Sequence, residues 1–178
     1  MSASAFLASN HLQTHSFIIL NPSAAWPTKC WPAEYYASLG DKIVSELETA
    51  VVVVGAPADS SLVQDIIDKM ETTPVNAAGE TTLKQLAALT SQARLFVSGD
   101  TGPLYIAEAV GTPTLSLFGP TNPARVAPAG AAHTVLTASK CKLCNKRKCD
   151  NITCMREITP ETVFMIVREK YAHVGNNS

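Results

Sequence analysis

Short apolar runs rich in β-branched residues alternate along this chain with runs that have the periodicity of amphipathic helices. The clearest apolar run is "AVVVVG" at 50–55, which follows a helix-like run at 32–47. A strand that is apolar at every position is typical of a parallel sheet with helices on both faces. Strands separated by single helices imply right-handed βαβ crossovers. The alternation therefore predicts a single doubly wound, Rossmann-like α/β domain with a parallel sheet.

The same patterns predict where the elements lie. The predicted strands are 16–20, 50–55, 75–77, 94–99, 114–119 and 133–137. The predicted helices are 32–47, 61–70, 82–93 and 159–171, with a further short helix that begins near Gly102. We assign residues 1–15 to a linker-like N-terminal tail. Residues 16–172 form the predicted domain, which includes a cysteine-rich loop at 140–156.

The composition excludes several classes of function. The 178 residues include 14 basic and 15 acidic side chains, and a formal charge of −1 gives no basis for a nucleic acid partner. No apolar run approaches the roughly 20 residues that are needed to span a bilayer. The N-terminus has neither the positive region nor the apolar region of a signal peptide. We therefore expect a cytoplasmic, globular protein that does not bind nucleic acid.

Polar or glycine-containing loops follow four of the predicted strands. They are "NPSAAWPTKCWP" at 21–32, "GAPAD" at 55–59, "AGETT" at 78–82 and "GDTGP" at 99–103. Ligands of open parallel sheets bind at the carboxyl ends of the strands. We therefore expect the four loops to form one pocket.

These loops have the residue types of a site for a nucleotide diphosphate. Gly102 permits close approach of a ligand to the backbone, and the helix that starts there offers N–H groups and a positive dipole end to phosphate. Lys29 adds a positive charge, and the Asp59 carboxylate can accept hydrogen bonds from ribose hydroxyls. Each residue alone also has a structural interpretation, Gly102 as a tight turn and Asp100 as a helix cap. Because the motifs GxxxxGK[ST] and GxGxxG are absent, an NTPase or an ordinary dehydrogenase is disfavoured.

Four of the five cysteines lie close together in the sequence. Cys141, Cys144, Cys149 and Cys154 form the pattern C-x2-C-x4-C-x4-C among several lysine and arginine residues. Four thiolates could close a tetrahedral zinc site, and an iron–sulfur cluster is an alternative. The spacing differs from the paired CxxC motifs of a zinc ribbon. A structural metal, a disulfide and free thiols all stay open at this point.

In order along the chain, several segments resemble the C-terminal half of glycosyltransferase family 9, the ADP-heptose:lipopolysaccharide heptosyltransferases. The similarity runs from about Phe17 to Val167. It is carried by "K-x-W-P" at 29–32, "D-T-G-P" at 100–103 and "F-G-P-T" at 118–121. The resemblance implies one half of a GT-B fold, in which this half holds most of the nucleotide sugar and an N-terminal half holds the acceptor.

The resemblance also assigns a donor-binding role to individual residues. The residues that it implies are Ala24, Ala25, Lys29, Asp59, Thr81, Asp100, Thr101, Gly102 and Tyr105. Lys29 would contact the diphosphate, Asp59 the ribose and Thr81 the surroundings of the adenine. The turn at 100–102 would line the sugar-phosphate. Because the sequence has no Asp-x-Asp pair to hold Mg²⁺ on a diphosphate, we expect that no cofactor is required.

Two departures from the family pattern bear on the donor. Ala24 and Ala25 stand where many members have hydroxyl residues that contact the phosphates. Tyr105 stands where relatives commonly have a histidine in the run D-T-G-P-x-H. A tyrosine does not titrate near neutral pH, which weakens a charge-stabilising role at this position. The donor preference is therefore open, and a hexose donor is an alternative.

The function implied by the resemblance is the donor-binding half of an inverting glycosyltransferase of lipopolysaccharide core synthesis. The donor would be ADP-heptose or a related nucleotide sugar, and the acceptor would be a lipopolysaccharide core. Such an enzyme would lie in the cytoplasm or at the periphery of the inner membrane. In the family, a carboxylate of the N-terminal half is the general base, so we expect this chain to be inactive without a separate acceptor domain. One alternative is a non-catalytic nucleotide-sugar-binding module. Another is a GT-B-type sugar-nucleotide epimerase, in which Asp100 or Glu108 would have to be the base.

Overall fold

The computed structural model describes residues 2–138 and 143–174. Its strands are β1 (Phe17–Asn21), β2 (Ala50–Gly55), β3 (Val75–Ala78), β4 (Leu95–Gly99), β5 (Thr114–Phe118) and β6 (His133–Thr137). Its helices are α1 (Ala3–Ser9), α2 (Ala33–Leu47), α3 (Ser60–Asp68), α4 (Leu83–Thr90), α5 (Gly102–Ala109), α6 (Pro123–Val126), α7 (Thr153–Glu157) and α8 (Pro160–Val174). Single turns of 3-10 helix lie at Pro27–Lys29 and Pro57–Asp59. The predicted order of strands and helices is confirmed, with ends that shift by a few residues.

The six strands found within residues 2–138 form one parallel sheet in the order β3-β2-β1-β4-β5-β6. The order reverses between β1 and β4, which pair from Ile18 with Leu95 to Asn21 with Ser98. This is the strand order of Rossmann-like doubly wound sheets, and the reversal opens a crevice at the carboxyl ends of the two central strands. The predicted doubly wound sheet is therefore confirmed, and it places a crevice between the loops after β1 and β4.

Two apolar clusters cover the two faces of the sheet. Val51 and Val53 of β2 pack into one cluster, with side chains of α2, α3 and α8. Val52 and Val54 pack into the other, with side chains of α1, α4 and α5. All four valines are buried. The continuous apolar run of β2 thus arises because helices cover both faces.

Residues 3–9 differ from the predicted linker-like tail, because they form α1. Ser2 caps this helix by accepting a hydrogen bond from the Ala5 N–H at 3.2 Å. Phe6 and Leu7 are buried in the same cluster as Leu86 and Leu89 of α4. A helix this short is unstable alone and depends on tertiary packing, so the local sequence gives little sign of it.

The longest helices in the described residues, α2 and α8, have 15 residues each and pack against each other. Val163, Phe164 and Val167 of α8 are buried in the cluster on this face. The end of α8 is held at the base of β4, where the Arg94 guanidinium lies 3.8 Å from the centre of the Tyr171 ring. Neither these helices nor any other in the described part of the chain is long and apolar enough to cross a membrane.

Candidate functional site

Buried polar residues fix the backbone at the point where the strand order reverses. The Asn21 side chain donates to Ser98 Oγ at 3.0 Å and to the Ser23 carbonyl at 3.2 Å. The Tyr36 hydroxyl donates to the Asn21 carbonyl at 3.0 Å. Burial raises the pKa of this hydroxyl, so it keeps its proton as a donor. These bonds hold the loop after β1 beside the end of β4.

A cavity of about 560 Å³ lies at the carboxyl ends of β1 and β2, next to the starts of α4 and α5. Five of the sequence-predicted residues line it: Ala24, Ala25, Asp59, Thr81 and Thr101. Its other walls include the apolar side chains of Pro57, Leu83, Leu86 and Pro103. Leu83 is 72% exposed, so its apolar surface is available to a ligand. A concave site with apolar walls and a few polar groups is typical of pockets for small molecules.

Asp59 is the carboxylate of this first cavity. Its Oδ2 accepts a hydrogen bond from the Ala56 N–H at 2.9 Å, which fixes the side chain in the short turn after β2. Oδ1 has no hydrogen-bond partner among the described residues. One carboxylate oxygen is therefore available to a hydroxyl group in the cavity.

A second cavity of about 710 Å³ adjoins the first. Ala25 and Thr101 line the first cavity, and their chain neighbours Trp26 and Asp100 line the second. The lining of the second cavity also includes Lys29, Thr121, Asn122, Arg125, Val126, Leu143 and Asn145. The loops after β1, β4 and β5 therefore meet here, and most of the side chains that they contribute are polar.

Asp100 is the centre of a hydrogen-bond network between these loops. Lys29 Nζ lies 2.6 Å from Asp100 Oδ2, and the Thr121 hydroxyl donates to the same oxygen at 2.8 Å. The Tyr105 hydroxyl donates to Oδ1 at 2.8 Å. Burial of the Asp100 carboxyl favours a raised pKa, but the hydrogen bonds from Lys29, Tyr105 and Thr121 outweigh it and lower the pKa. Asp100 is therefore an ionised acceptor at neutral pH.

Lys29 lies on the lining of the second cavity, where its surroundings as well as Asp100 hold it. Its ammonium lies 4.3 Å from the centre of the Trp26 ring, within the range of a cation–π interaction. The single 3-10 turn at Pro27–Lys29 places both side chains on the loop after β1. The Lys29 ammonium therefore points toward Asp100. A bound anion could contact the same ammonium.

The glycines on either side of Asp100 have different surroundings. A Cβ built at Gly99 would lie 2.9 Å from the Lys29 carbonyl oxygen, so this glycine permits the close approach of the two loops. A Cβ at Gly102 would meet no described heavy atom within 4 Å. Thr101 is the N-cap residue of α5, and its side chain makes no capping hydrogen bond to a described residue. The start of α5 is therefore open toward a ligand.

Some of the sequence-predicted residues lie outside the two cavities. Within the described part of the chain, Gly102, Tyr105 and Glu108 belong to the lining of neither cavity, although the neighbours of Gly102, Thr101 and Pro103, line the first. Tyr105 contacts Asp100 instead, and Glu108 Oε1 accepts a hydrogen bond from the Ala129 N–H at 3.0 Å. Tyr105 therefore contacts another site residue in this structure, and its contact with a donor stays a prediction.

Thr121 and the polar residues after it were missed by the sequence analysis as site residues. The signal was the motif "F-G-P-T", which directly follows β5 at the same edge of the sheet as the other loops. Trp31 of the motif "K-x-W-P" is 2% exposed, and its Nε1 donates to the Ile158 carbonyl at 2.7 Å. That tryptophan therefore attaches the C-terminal segment to the domain rather than contacting a ligand.

The predicted cysteine cluster lies only partly within the described residues. Cys141 lies outside them, whereas Cys144 and Cys149 are exposed and Cys154 is buried in α7. In residues 2–138 and 143–174, no three His, Cys, Asp or Glu side chains are grouped to hold a metal ion. A metal at the four cysteines stays one of the alternatives that the sequence leaves open.

A doubly wound parallel sheet with adjoining cavities at its switch point defines a Rossmann-like ligand-binding domain. A sequence model of glycosyltransferase family 9 (heptosyltransferase) matches residues 2–154. The chain belongs to glycosyltransferase family 9, as the resemblance of its motifs predicted.

Curated relatives agree with this family. The lipopolysaccharide core heptosyltransferase OpsX of Haemophilus influenzae is 36% identical over 115 residues, which cover 62% of this chain and 32% of OpsX. Lipooligosaccharide heptosyltransferase 2 of the same species is 29% identical over 154 residues, 82% of this chain and 44% of that enzyme. The chain therefore spans less than half the length of these relatives.

Solved structures share the fold. The glycosyl transferase family 9 structure from Veillonella parvula DSM 2008 has a TM-score of 0.85 and 30% identity, over 96% of this chain and 50% of that chain. The E. coli ADP-heptose lps heptosyltransferase II has a TM-score of 0.80 and 24% identity, over 96% of this chain and 51% of that chain. The predicted fold, a Rossmann-like half of a GT-B structure, is confirmed.

Proposed function

We propose that this chain is the donor-binding half of an inverting heptosyltransferase of lipopolysaccharide core synthesis. Its donor is ADP-heptose or a related nucleotide sugar, bound across the two adjoining cavities. The observation that carries this proposal is the position of Lys29, which lines the second cavity and bonds Asp100, the residue before Thr101 of the first cavity. A diphosphate bound here would receive the charge of Lys29 and the positive end of the helix dipole.

The nucleoside of the donor fits the first cavity. The apolar walls at Pro57 and Leu86 suit a planar base, and the available oxygen of Asp59 suits a ribose hydroxyl. Thr81 lies on the same lining, where the family resemblance assigns it to the adenine. In this proposal the first cavity holds the adenosine part of ADP, and the diphosphate lies beside Lys29.

The sugar of the donor fits the second cavity. The ionised Asp100 carboxylate and the Asn122 side chain offer hydrogen-bond acceptors and donors to hydroxyl groups. The relatives are named as heptosyltransferases of lipopolysaccharide or lipooligosaccharide, which supports heptose as the transferred sugar and a lipopolysaccharide core as the acceptor.

The proposed donor site needs no metal cofactor. Mg²⁺ on a diphosphate is usually held by one or two carboxylates as well as by the phosphate oxygens. Here the available oxygen of Asp59 is assigned to the ribose, and the charge of Asp100 is already paired with the Lys29 ammonium. The charge of the phosphates is instead met by Lys29 and by the start of α5.

The general base of the transfer belongs, in this proposal, to an N-terminal half that also holds the acceptor. An inverting transfer needs a base on the face of the sugar opposite the leaving diphosphate. Asp100 is a weak base because its pKa is lowered, and Glu108 is bonded to the Ala129 N–H. These observations support neither residue as the base of an epimerase. The reaction would take place in the cytoplasm, at the periphery of the inner membrane.

The proposal is tested with the purified chain and radiolabelled ADP-heptose. We expect the chain to bind this donor and to transfer nothing to a lipopolysaccharide core acceptor above background. Addition of an N-terminal half that carries a suitable carboxylate should restore some transfer. Donor binding without transfer in the presence of that half would favour a non-catalytic nucleotide-sugar-binding module. Transfer by the chain alone would contradict the assignment of the base.

A further inference from the structure

The segment 143–147 contacts the loops that carry the site. The Asn145 N–H donates to the Pro120 carbonyl at 2.8 Å, next to Thr121. The hydroxyl of Thr28, which is 3% exposed and next to Lys29, donates to the Lys146 carbonyl at 2.7 Å. The Arg147 guanidinium lies 4.8 Å from the centre of the Trp26 ring. These contacts fix the segment relative to both loops that bind the Asp100 carboxylate.

Two residues of the segment have positive φ angles, a backbone conformation that is costly unless surrounding contacts maintain it. Leu143 has a φ of 34° and Asn145 a φ of 53°, both in the left-handed region. Side chains other than glycine adopt this region at a cost, and asparagine tolerates it better than most. Conformations of this kind persist where the surroundings fix them and are found often at ligand sites. The turn brings Leu143 and Asn145 to the lining of the second cavity.

We propose that the segment 143–147 is a wall of the subsite for the sugar of the donor, and that Asn145 is a specificity-determining residue that hydrogen-bonds a sugar hydroxyl. This inference rests on the proposed function, which places the sugar in the second cavity. The Asn145 amide can both donate and accept, as a sugar hydroxyl can. Trp26 is on the same lining, with the Lys29 and Arg147 cations against its ring. The substrate class is therefore a polyhydroxylated group carried by a nucleoside diphosphate.

The test compares ADP with ADP-heptose in calorimetric titrations of the full chain. The variant Asn145→Gly removes the side chain and is compatible with the positive φ, so the turn keeps its conformation. We expect its affinity for ADP-heptose to fall about three- to tenfold, as for the loss of one hydrogen bond, with its affinity for ADP unchanged. Lys148→Ala, in the same exposed loop but outside the lining of the second cavity, is the matched control and should change neither affinity.

Each other outcome separates this inference from the proposed function. If the wild-type chain binds neither ligand, the proposed function fails. If it binds ADP and ADP-heptose equally, or if Asn145→Gly leaves the ratio of the two affinities unchanged, Asn145 has no part in sugar recognition. An equal loss of both affinities in Asn145→Gly would also overturn the inference, because the segment would then act on the diphosphate position.

Discussion

Lys29 Nζ and Asp100 Oδ2 are 2.6 Å apart, although the two residues follow different strands, β1 and β4. The contact arises from the strand order, because β1 and β4 are neighbours at the switch point and end at the same edge. Both side chains are largely buried, with 15% and 9% of their surface exposed. A diphosphate bound at Lys29 must therefore share this cation with Asp100 or draw it away.

The glycines beside Asp100 should respond differently to the same substitution. Gly99→Ala brings a Cβ against the Lys29 carbonyl, and we expect it to lower the free energy of unfolding by about 1–3 kcal/mol. Gly102→Ala places a Cβ in open space, so its stability should be unchanged or slightly raised, while its affinity for ADP falls several-fold. Urea denaturation and calorimetry of both variants check this pair. Unchanged ADP affinity in Gly102→Ala would remove the start of α5 from the phosphate site.

Asp59→Asn should weaken the recognition of ribose. The amide oxygen can still accept from Ala56, but the charged acceptor for a ribose hydroxyl is lost, at a cost of about 1 kcal/mol of binding free energy. The wild-type chain should prefer ADP to 2′,3′-dideoxy-ADP, and the variant should lose most of this preference. Asp68→Asn on the surface of α3 is the control. A preference that is equal in wild type and Asp59→Asn would show that Asp59 does not contact the ribose.

The network around Asp100 should make stability depend on pH in acid. Hydrogen bonds from Lys29, Tyr105 and Thr121 outweigh burial and lower the pKa of Asp100 in the folded chain. The ionised Asp100 carboxylate contributes its full stabilisation above the pKa of an aspartate in the unfolded chain, about 3.9. This stabilisation is lost as the pH falls through the lower pKa of Asp100 in the folded chain. The unfolding free energy of the wild type relative to Asp100→Asn should therefore be larger at pH 6 than at pH 3. A difference that does not change with pH would contradict a lowered pKa.

Nucleotide binding should not require a divalent cation. The available oxygen of Asp59 is assigned to the ribose, the charge of Asp100 is paired with Lys29, and Lys29 supplies the positive charge for the phosphates. We expect the affinity for ADP in the presence of EDTA to equal that in the presence of Mg²⁺, in calorimetric titrations at the same ionic strength. Loss of ADP binding on addition of EDTA would mean that a metal ion belongs to the donor site.

The fold and part of the site were accessible from sequence because they depend on local patterns and on one rule of topology. The alternation of apolar strands and amphipathic helices predicted the doubly wound sheet. Because the carboxyl ends of parallel strands share one edge, it also placed the loops with Lys29, Asp59 and Asp100 together. The cavities confirm that these loops meet.

The remaining features depend on contacts between segments that are distant in the sequence. Thr121 reaches Asp100 across 21 positions, and Asn145 meets Pro120 through a turn with positive φ. The contact of Tyr105 with Asp100 spans only five positions, but it depends on how the loop after β4 enters α5. Local patterns do not specify such pairs, since each needs the tertiary arrangement of two loops or of a loop and a helix.

The central claim is that Lys29, on the lining of the second cavity, binds the diphosphate of a nucleotide. Calorimetric titration of the wild type and of Lys29→Ala with ADP and with adenosine tests it most directly, with Lys69→Ala at the exposed C-cap of α3 as the control. We expect the variant to lose about 1.5–3 kcal/mol of binding free energy for ADP, as for a charge-assisted hydrogen bond, and almost none for adenosine. Equal ADP binding by the wild type and Lys29→Ala would contradict the claim.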